Sequence, residues 1–216
     1  MRIFINGIYA RSGGEEIEVS FHLADEVGEH ECKESFIISA EQYLTIGISK
    51  GDSDERTYDE ISYAATVWSA VKRGMSVLSY GACSQKALRA KLCAKGIDKE
   101  IAAEAAERLV AMGLVRESED ASRAAEKMAA RLWGKRRISA ALYEKGYSAE
   151  AVKDALCYLE DMEIDFAENC RGLIESKYPC AVGDREKEQK MIAALMRYGY
   201  SMSEIKDAMS LFREQI

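Results

Sequence analysis

Lys95-Gly96-Ile97-Asp98, Lys145-Gly146-Tyr147-Ser148 and Tyr198-Gly199-Tyr200-Ser201 are three versions of one corner. Fifty residues separate the first glycine from the second, and fifty-three separate the second from the third. Ahead of each stands an apolar pair four residues apart: Leu88 and Leu92, Ile138 and Leu142, Met191 and Leu195. Behind each stands a second periodic run: Ala102, Ala105 and Leu109; Val152, Ala155 and Leu159; Ile205, Ala208 and Phe212. Such spacing puts the apolar residues on one face of a helix. The glycine predicts a left-handed residue closing the first helix. Asp98, Ser148 or Ser201 predicts the cap of the next, and the residue between clips the corner to the core.

A further amphipathic stretch precedes each hairpin, over residues 63–80, 118–133 and 166–177. Each unit is therefore expected to hold three helices. The predicted fold is mainly α: three tandem three-helix repeats at about 57–115, 116–164 and 165–216, forming an elongated, curved body. Residues 1–56 read differently. Glu16-Ile17-Glu18-Val19-Ser20-Phe21-His22-Leu23 alternates polar and apolar, the pattern of a strand with one buried face. Ile3-Phe4-Ile5 and Ser35-Phe36-Ile37-Ile38 are its expected partners, with 25–34 as a connection. Ser39 and Gln42 predict a capping box opening a short helix. The polar run 50–56 predicts the boundary of this small β-rich N-terminal domain, with Thr57 and Glu60 capping the helix beyond it.

Charge limits the function classes. The net charge is −7, and residues 1–80 carry all of it, with 7 basic against 14 acidic residues. A chain whose main task was coating duplex DNA would be basic, so direct DNA contact is expected to be weak and local. The six cysteines form no C-x-x-C pair. Cys93 and Cys157 fall in helical patterns and are expected to serve as small apolar residues. No signal peptide or membrane span is predicted, so the expected location is the cytoplasm. His22 and His30 lack the neighbours of a metal site, and no phosphate loop, nucleophile elbow or dinucleotide fingerprint occurs. A binding protein without cofactor, not an enzyme, is expected.

At Gly134-Lys135-Arg136-Arg137-Ile138, Leu142, Lys145-Gly146-Tyr147-Ser148 and Arg197-Tyr198-Gly199-Tyr200-Ser201, the chain resembles the RecX family of recombinase regulators. Residues 88–96 fit that family's L-x-x-x-L-x-x-K-G form, and the likeness extends over roughly residues 60–216. The chain departs from the family's pattern at Tyr80–Leu88 and at Glu119-Asp120-Ala121. A monomer is expected, and the resemblance implies that it binds the RecA filament on single-stranded DNA. It further implies restraint of strand exchange, ATP turnover and co-protease activity in recombination and the DNA-damage (SOS) response.

The densest basic cluster, Arg131, Lys135, Arg136 and Arg137 around Trp133, is the first candidate contact surface. Lys145 follows it at the second corner. Lys86, Arg89, Lys91 and Lys95 on the first hairpin and Arg197 on the third complete the set, though cations flanking an apolar pair also suit a solvated face. Tyr147, Tyr198 and Tyr200 read as corner staples. A helix-turn-helix DNA-binding regulator is the competing reading. Glu100, Glu104 and Glu107 on the second helix of the first hairpin oppose it, because they would repel phosphate.

Overall fold

The computed structural model describes residues 2–24 and 31–214. The N-terminal part is a four-stranded antiparallel sheet in the order β3-β2-β1-β4. Its strands are β1 (Arg2–Arg11), β2 (Glu16–Ala24), β3 (Glu31–Ser39) and β4 (Gly51–Ser53). The alternation in β2 is realised: Ile17, Val19, Phe21 and Leu23 are buried, and the residues between them are half-buried. Ile3, Ile5 and Ile38 join them from the flanking strands. Phe21, Phe36 and Tyr58 meet edge to face, with centroids 5.1–5.8 Å apart.

One N-terminal expectation is corrected, and one segment holds an element the sequence did not suggest. Residues 31–34 belong to β3, not to a connection, and 25–30 lie outside the described residues, His30 among them. The polar run 50–56 contains β4, which pairs with Ile3–Ile5 through its backbone. Helix α1 (Ala40–Ile46) opens with the predicted capping box of Ser39 and Gln42. Gln42 is itself buried, and its side-chain amide donates to the Ala64 carbonyl at 3.0 Å.

Helix α2 (Glu55–Ser79) starts earlier than the sequence suggests. Its cap is Asp54, whose carboxylate accepts the Thr57 N–H at 2.8 Å. Asp is the stronger cap, and Thr57 becomes a first-turn residue. Ile61 and Ala64 of α2 pack into the sheet's core. Glu16 on β2 ties sheet to helix, accepting from the Trp68 indole N–H at 2.8 Å and pairing with Lys72 at 3.0 Å. These bonds hold its carboxyl below the usual glutamate range, the Lys72 contact most strongly.

The remaining helices follow in threes, as the repeats require. The first repeat is completed by α3 (Gln85–Ala94) and α4 (Lys99–Ala111). The second holds α5 (Glu117–Ala129), α6 (Lys135–Glu144) and α7 (Ala149–Asp161). The third holds α8 (Phe166–Lys177), α9 (Arg185–Arg197) and α10 (Met202–Glu214). The predicted apolar positions, Leu88 and Leu92 through Ala208 and Phe212, are buried. Cys93 and Cys157 are not: both are exposed, whereas Cys83 and Cys170 are the buried thiols. Burial pushes the Cys170 thiol up to about 12.

By its contacts the chain divides into two compact units. One comprises residues up to Tyr80 with Arg89–Leu114; the other comprises Gly81–Leu88 with residues from Val115 onward. No helix among the described residues is long and apolar enough to cross a membrane.

Candidate functional site

The three corners share one hydrogen-bond pattern. Ile97, Tyr147 and Tyr200 each donate back to Leu92, Leu142 and Leu195, at 3.2–3.3 Å. Gly96, Gly146 and Gly199 donate to Cys93, Tyr143 and Met196, at 2.9–3.0 Å. The glycines have φ of 82°, 83° and 94°, as predicted. Glycine is nonetheless dispensable at some such turns. Leu132 (φ 59°) closes α5, and Glu163 (φ 53°) lies just past α7, where its counterpart after α4 is Gly113 (φ 70°).

Within the second unit, each later corner is covered by the start of the preceding hairpin. Ser84 Oγ donates to the Lys145 carbonyl at 2.8 Å. One repeat on, Gly134 N–H donates to the Tyr198 carbonyl at 2.8 Å and Arg136 N–H to the Gly199 carbonyl at 3.1 Å. Helix α6 thus lacks a side-chain cap of its own and takes a carbonyl from the third repeat instead. Glu117 braces the earlier joint, accepting the Gln85 N–H at 2.7 Å and the Ser148 N–H at 3.2 Å.

The two joints differ in what fills them. At the later one, the Arg137 guanidinium lies 3.8 Å over the Trp133 ring and 5.1 Å from the Tyr198 ring centre. Lys177 donates to the Tyr198 hydroxyl and holds that phenol below its ordinary range. Tyr200, fully buried, donates to the Leu132 carbonyl at 2.8 Å. Registering Ser84 on Gly134 puts Ala82, Cys83, Ala87 and Lys145 where Leu132, Trp133, Arg137 and Tyr198 stand. The larger fillers are missing, and a cleft of about 380 Å³ results. Arg123, Lys127, Arg131 and Lys145 line it, together with Asp120 and the buried Tyr147. Burial raises the Asp120 carboxyl and the Tyr147 phenol. Four cations stand against one carboxylate in this lining, although Arg123 also lies 3.8 Å from Glu119, so the cleft carries an excess of positive charge.

The candidate residues are distributed accordingly. Arg131 and Lys145 meet at this cleft, and Lys86 lies beside it: a β-carbon on Gly146 would sit 3.3 Å from that of Lys86. Arg136 is exposed. Arg137 and Trp133 are half-buried and engaged with each other. Lys135 is also occupied, pairing with Glu160 at 2.8 Å and lying 5.3 Å over Phe166. Arg89, half-buried, and the exposed Lys91 and Lys95 belong to the first unit. Arg197 lines a separate cavity of about 530 Å³ with Lys177, Lys187 and Lys190. Tyr147 and Tyr200 are the staples expected, whereas Tyr198 is half-exposed and in contact with the cations of Arg137 and Lys177. Arg123 and Lys127 were not singled out from sequence. Their i, i+4, i+8 spacing with Arg131 is the signal that finds them.

Comparison with known proteins places this arrangement. Residues 163–209 match the family described as RecX, third three-helix domain. In this third unit the chain is similar to the RecX family. A solved structure described as regulatory protein RecX superposes with a TM-score of 0.72 at 20% identity, covering 94% of this chain and 97% of its own. RecX from Lactobacillus salivarius gives 0.61 at 20% identity, covering 70% and 98%. At that identity the likeness is one of fold: the helices in threes and the small sheet are those of RecX structures. No curated protein matches the sequence.

Proposed function

We propose that this chain is a regulator that binds the RecA recombinase filament on single-stranded DNA and restrains its ATP turnover, strand exchange and co-protease activity. The match of residues 163–209 to the RecX third domain carries the reading. The cationic cleft of Arg123, Lys127, Arg131 and Lys145, with exposed Arg136 nearby in sequence, supplies the docking surface. It suits acidic side chains of the recombinase or the phosphates it holds. The second unit, Gly81–Leu88 with residues from Val115 onward, holds 18 Lys+Arg against 19 Asp+Glu, so specific contacts at this joint, not a general positive field, provide the affinity. The protein acts by binding, with no chemistry of its own, and works as a monomer in the cytoplasm.

The test is titration into RecA assembled on single-stranded DNA while ATP turnover is followed. Turnover should fall as the protein is added. A wild-type protein that leaves turnover unchanged at large excess would overturn the proposal.

A further inference from the structure

Two of the three corners are covered by another stretch of the chain; the first is not. The Lys145 carbonyl receives Ser84, and the Tyr198 and Gly199 carbonyls receive the N–H groups of Gly134 and Arg136. The equivalent carbonyls at the first corner, those of Lys95 and Gly96, accept no hydrogen bond from the described residues. A β-carbon built on Gly96 meets nothing within 4 Å, whereas one on Gly199 would lie 2.4 Å from the Arg137 nitrogen.

That corner forms one end of a groove of about 670 Å³ within the first unit. Ser35, Phe36 and Ile37 line its other side. Consecutive strand residues alternate faces, so three in a row can border one groove only if it runs along the strand's edge. β3 is an edge strand, paired with β2 on one side and with no described strand on the other. Its outer backbone groups therefore face the groove. Helix α2 contributes lining residues from Ala65 to Arg73, a span of nine residues or roughly 12 Å of helix. That length accommodates about four residues of extended chain.

We infer that this groove is a docking site for an extended segment of a partner protein, added as a strand along β3 and ending against the Gly96 corner. Main-chain donors and acceptors on two sides of the groove call for a peptide backbone. The chain's own joints indicate what fits at the corner: Ser84 and Gly134 occupy that place, so the partner residue there is glycine or serine. Charge sets a second requirement. Lys72 is paired with Glu16, and Asp98 caps α4. Arg73 is exposed and makes no ion pair or side-chain hydrogen bond with the described residues. The segment therefore carries an acidic residue. This inference does not depend on recombinase regulation.

The experiment selects short peptides from a displayed random library on the full chain, then synthesises the enriched sequence. Binding should shift the backbone amide signals of Ser35–Ile37 and Gly96–Asp98 in nuclear magnetic resonance spectra. N-methylating the peptide residues that face β3 should weaken binding by about tenfold or more, the equivalent of one or two hydrogen bonds. Arg73→Glu should weaken it similarly while leaving the circular dichroism unchanged. The inference is overturned if no peptide is enriched. It is equally overturned if the shifts fall elsewhere, such as around Tyr63 and Met112, or if N-methylated and parent peptides bind alike.

Discussion

A β-carbon on Gly134 would lie 2.4 Å from the carbonyl carbon of Gly199. The second and third repeats therefore meet backbone to backbone, sixty-five residues apart in sequence. No rotamer change relieves such a contact, because both sides are main chain. At the earlier joint the tightest approach is softer: a β-carbon on Gly146 would sit 3.0 Å from the Ser84 hydroxyl.

This difference ranks the corner substitutions. Gly96→Ala meets open space and should cost only its left-handed strain, about 1 kcal/mol. Gly146→Ala should cost more, since Ser84 must yield. Gly199→Ala should be worst, at about 3 kcal/mol or more, and Gly134→Ala comparable despite its ordinary φ of −78°. Urea unfolding of the four variants checks the order.

Arg136 and Arg137 are adjacent but should separate. Arg137→Glu puts a carboxylate against the Trp133 ring and should destabilise by about 1–2 kcal/mol. Arg136→Glu on the exposed side should leave the melting temperature unchanged. If the joint docks on the recombinase, Arg136→Glu combined with Arg131→Glu should weaken inhibition of ATP turnover in a fully folded protein. Full inhibition by that double variant would exclude this surface and leave the family reading intact.

Glu16 predicts an acid-sensitive link between sheet and α2. Its carboxyl titrates lower in the folded chain than in the unfolded one, because Lys72 and Trp68 favour the charged form. The stabilisation is therefore complete above the ordinary glutamate value and is lost as pH falls through the folded value. Glu16→Gln should cost about 1 kcal/mol at neutral pH and progressively less in acid. Trp68 fluorescence during denaturation at a series of pH values reports it. A cost independent of pH would contradict the assignment.

Tyr200→Phe removes the donor to the Leu132 carbonyl, at a residue already held in a left-handed conformation that costs leucine about 1–2 kcal/mol. The variant should lose about 1 kcal/mol and speed amide exchange at Leu132 and Trp133. Unchanged exchange there would show that packing alone holds the turn.

Much of this was legible in sequence for a local reason. A left-handed corner needs glycine, a cap needs Asp or Ser two residues on, and an inward strand face needs alternation; each leaves a mark within a few residues. The missed features are non-local or made of backbone. β4 has no apolar residue and exists through pairing with Ile3–Ile5. Asp54 outcompetes Thr57 for a cap that both patterns allow. Arg123 and Lys127 look like an ordinary solvated face until Ala82 and Lys145 are seen to leave the joint open. Nothing in Gly134-Lys135-Arg136-Arg137 reveals that Arg137 turns inward onto Trp133 while Arg136 stays in water.

The main-chain joint between Gly134 and Gly199 also bears on how such a protein drifts over evolutionary time. A contact written in side chains must be rewritten in pairs, one substitution compensating another. Here the groups that touch are peptide units, which every residue except proline supplies in full. At the backbone contact itself selection has to preserve the absence of two β-carbons and the presence of two N–H groups, whatever side chains fill the joint around it. A chain assembled in this way can share one residue in five with another of the same fold and still superpose on it over nearly its whole length.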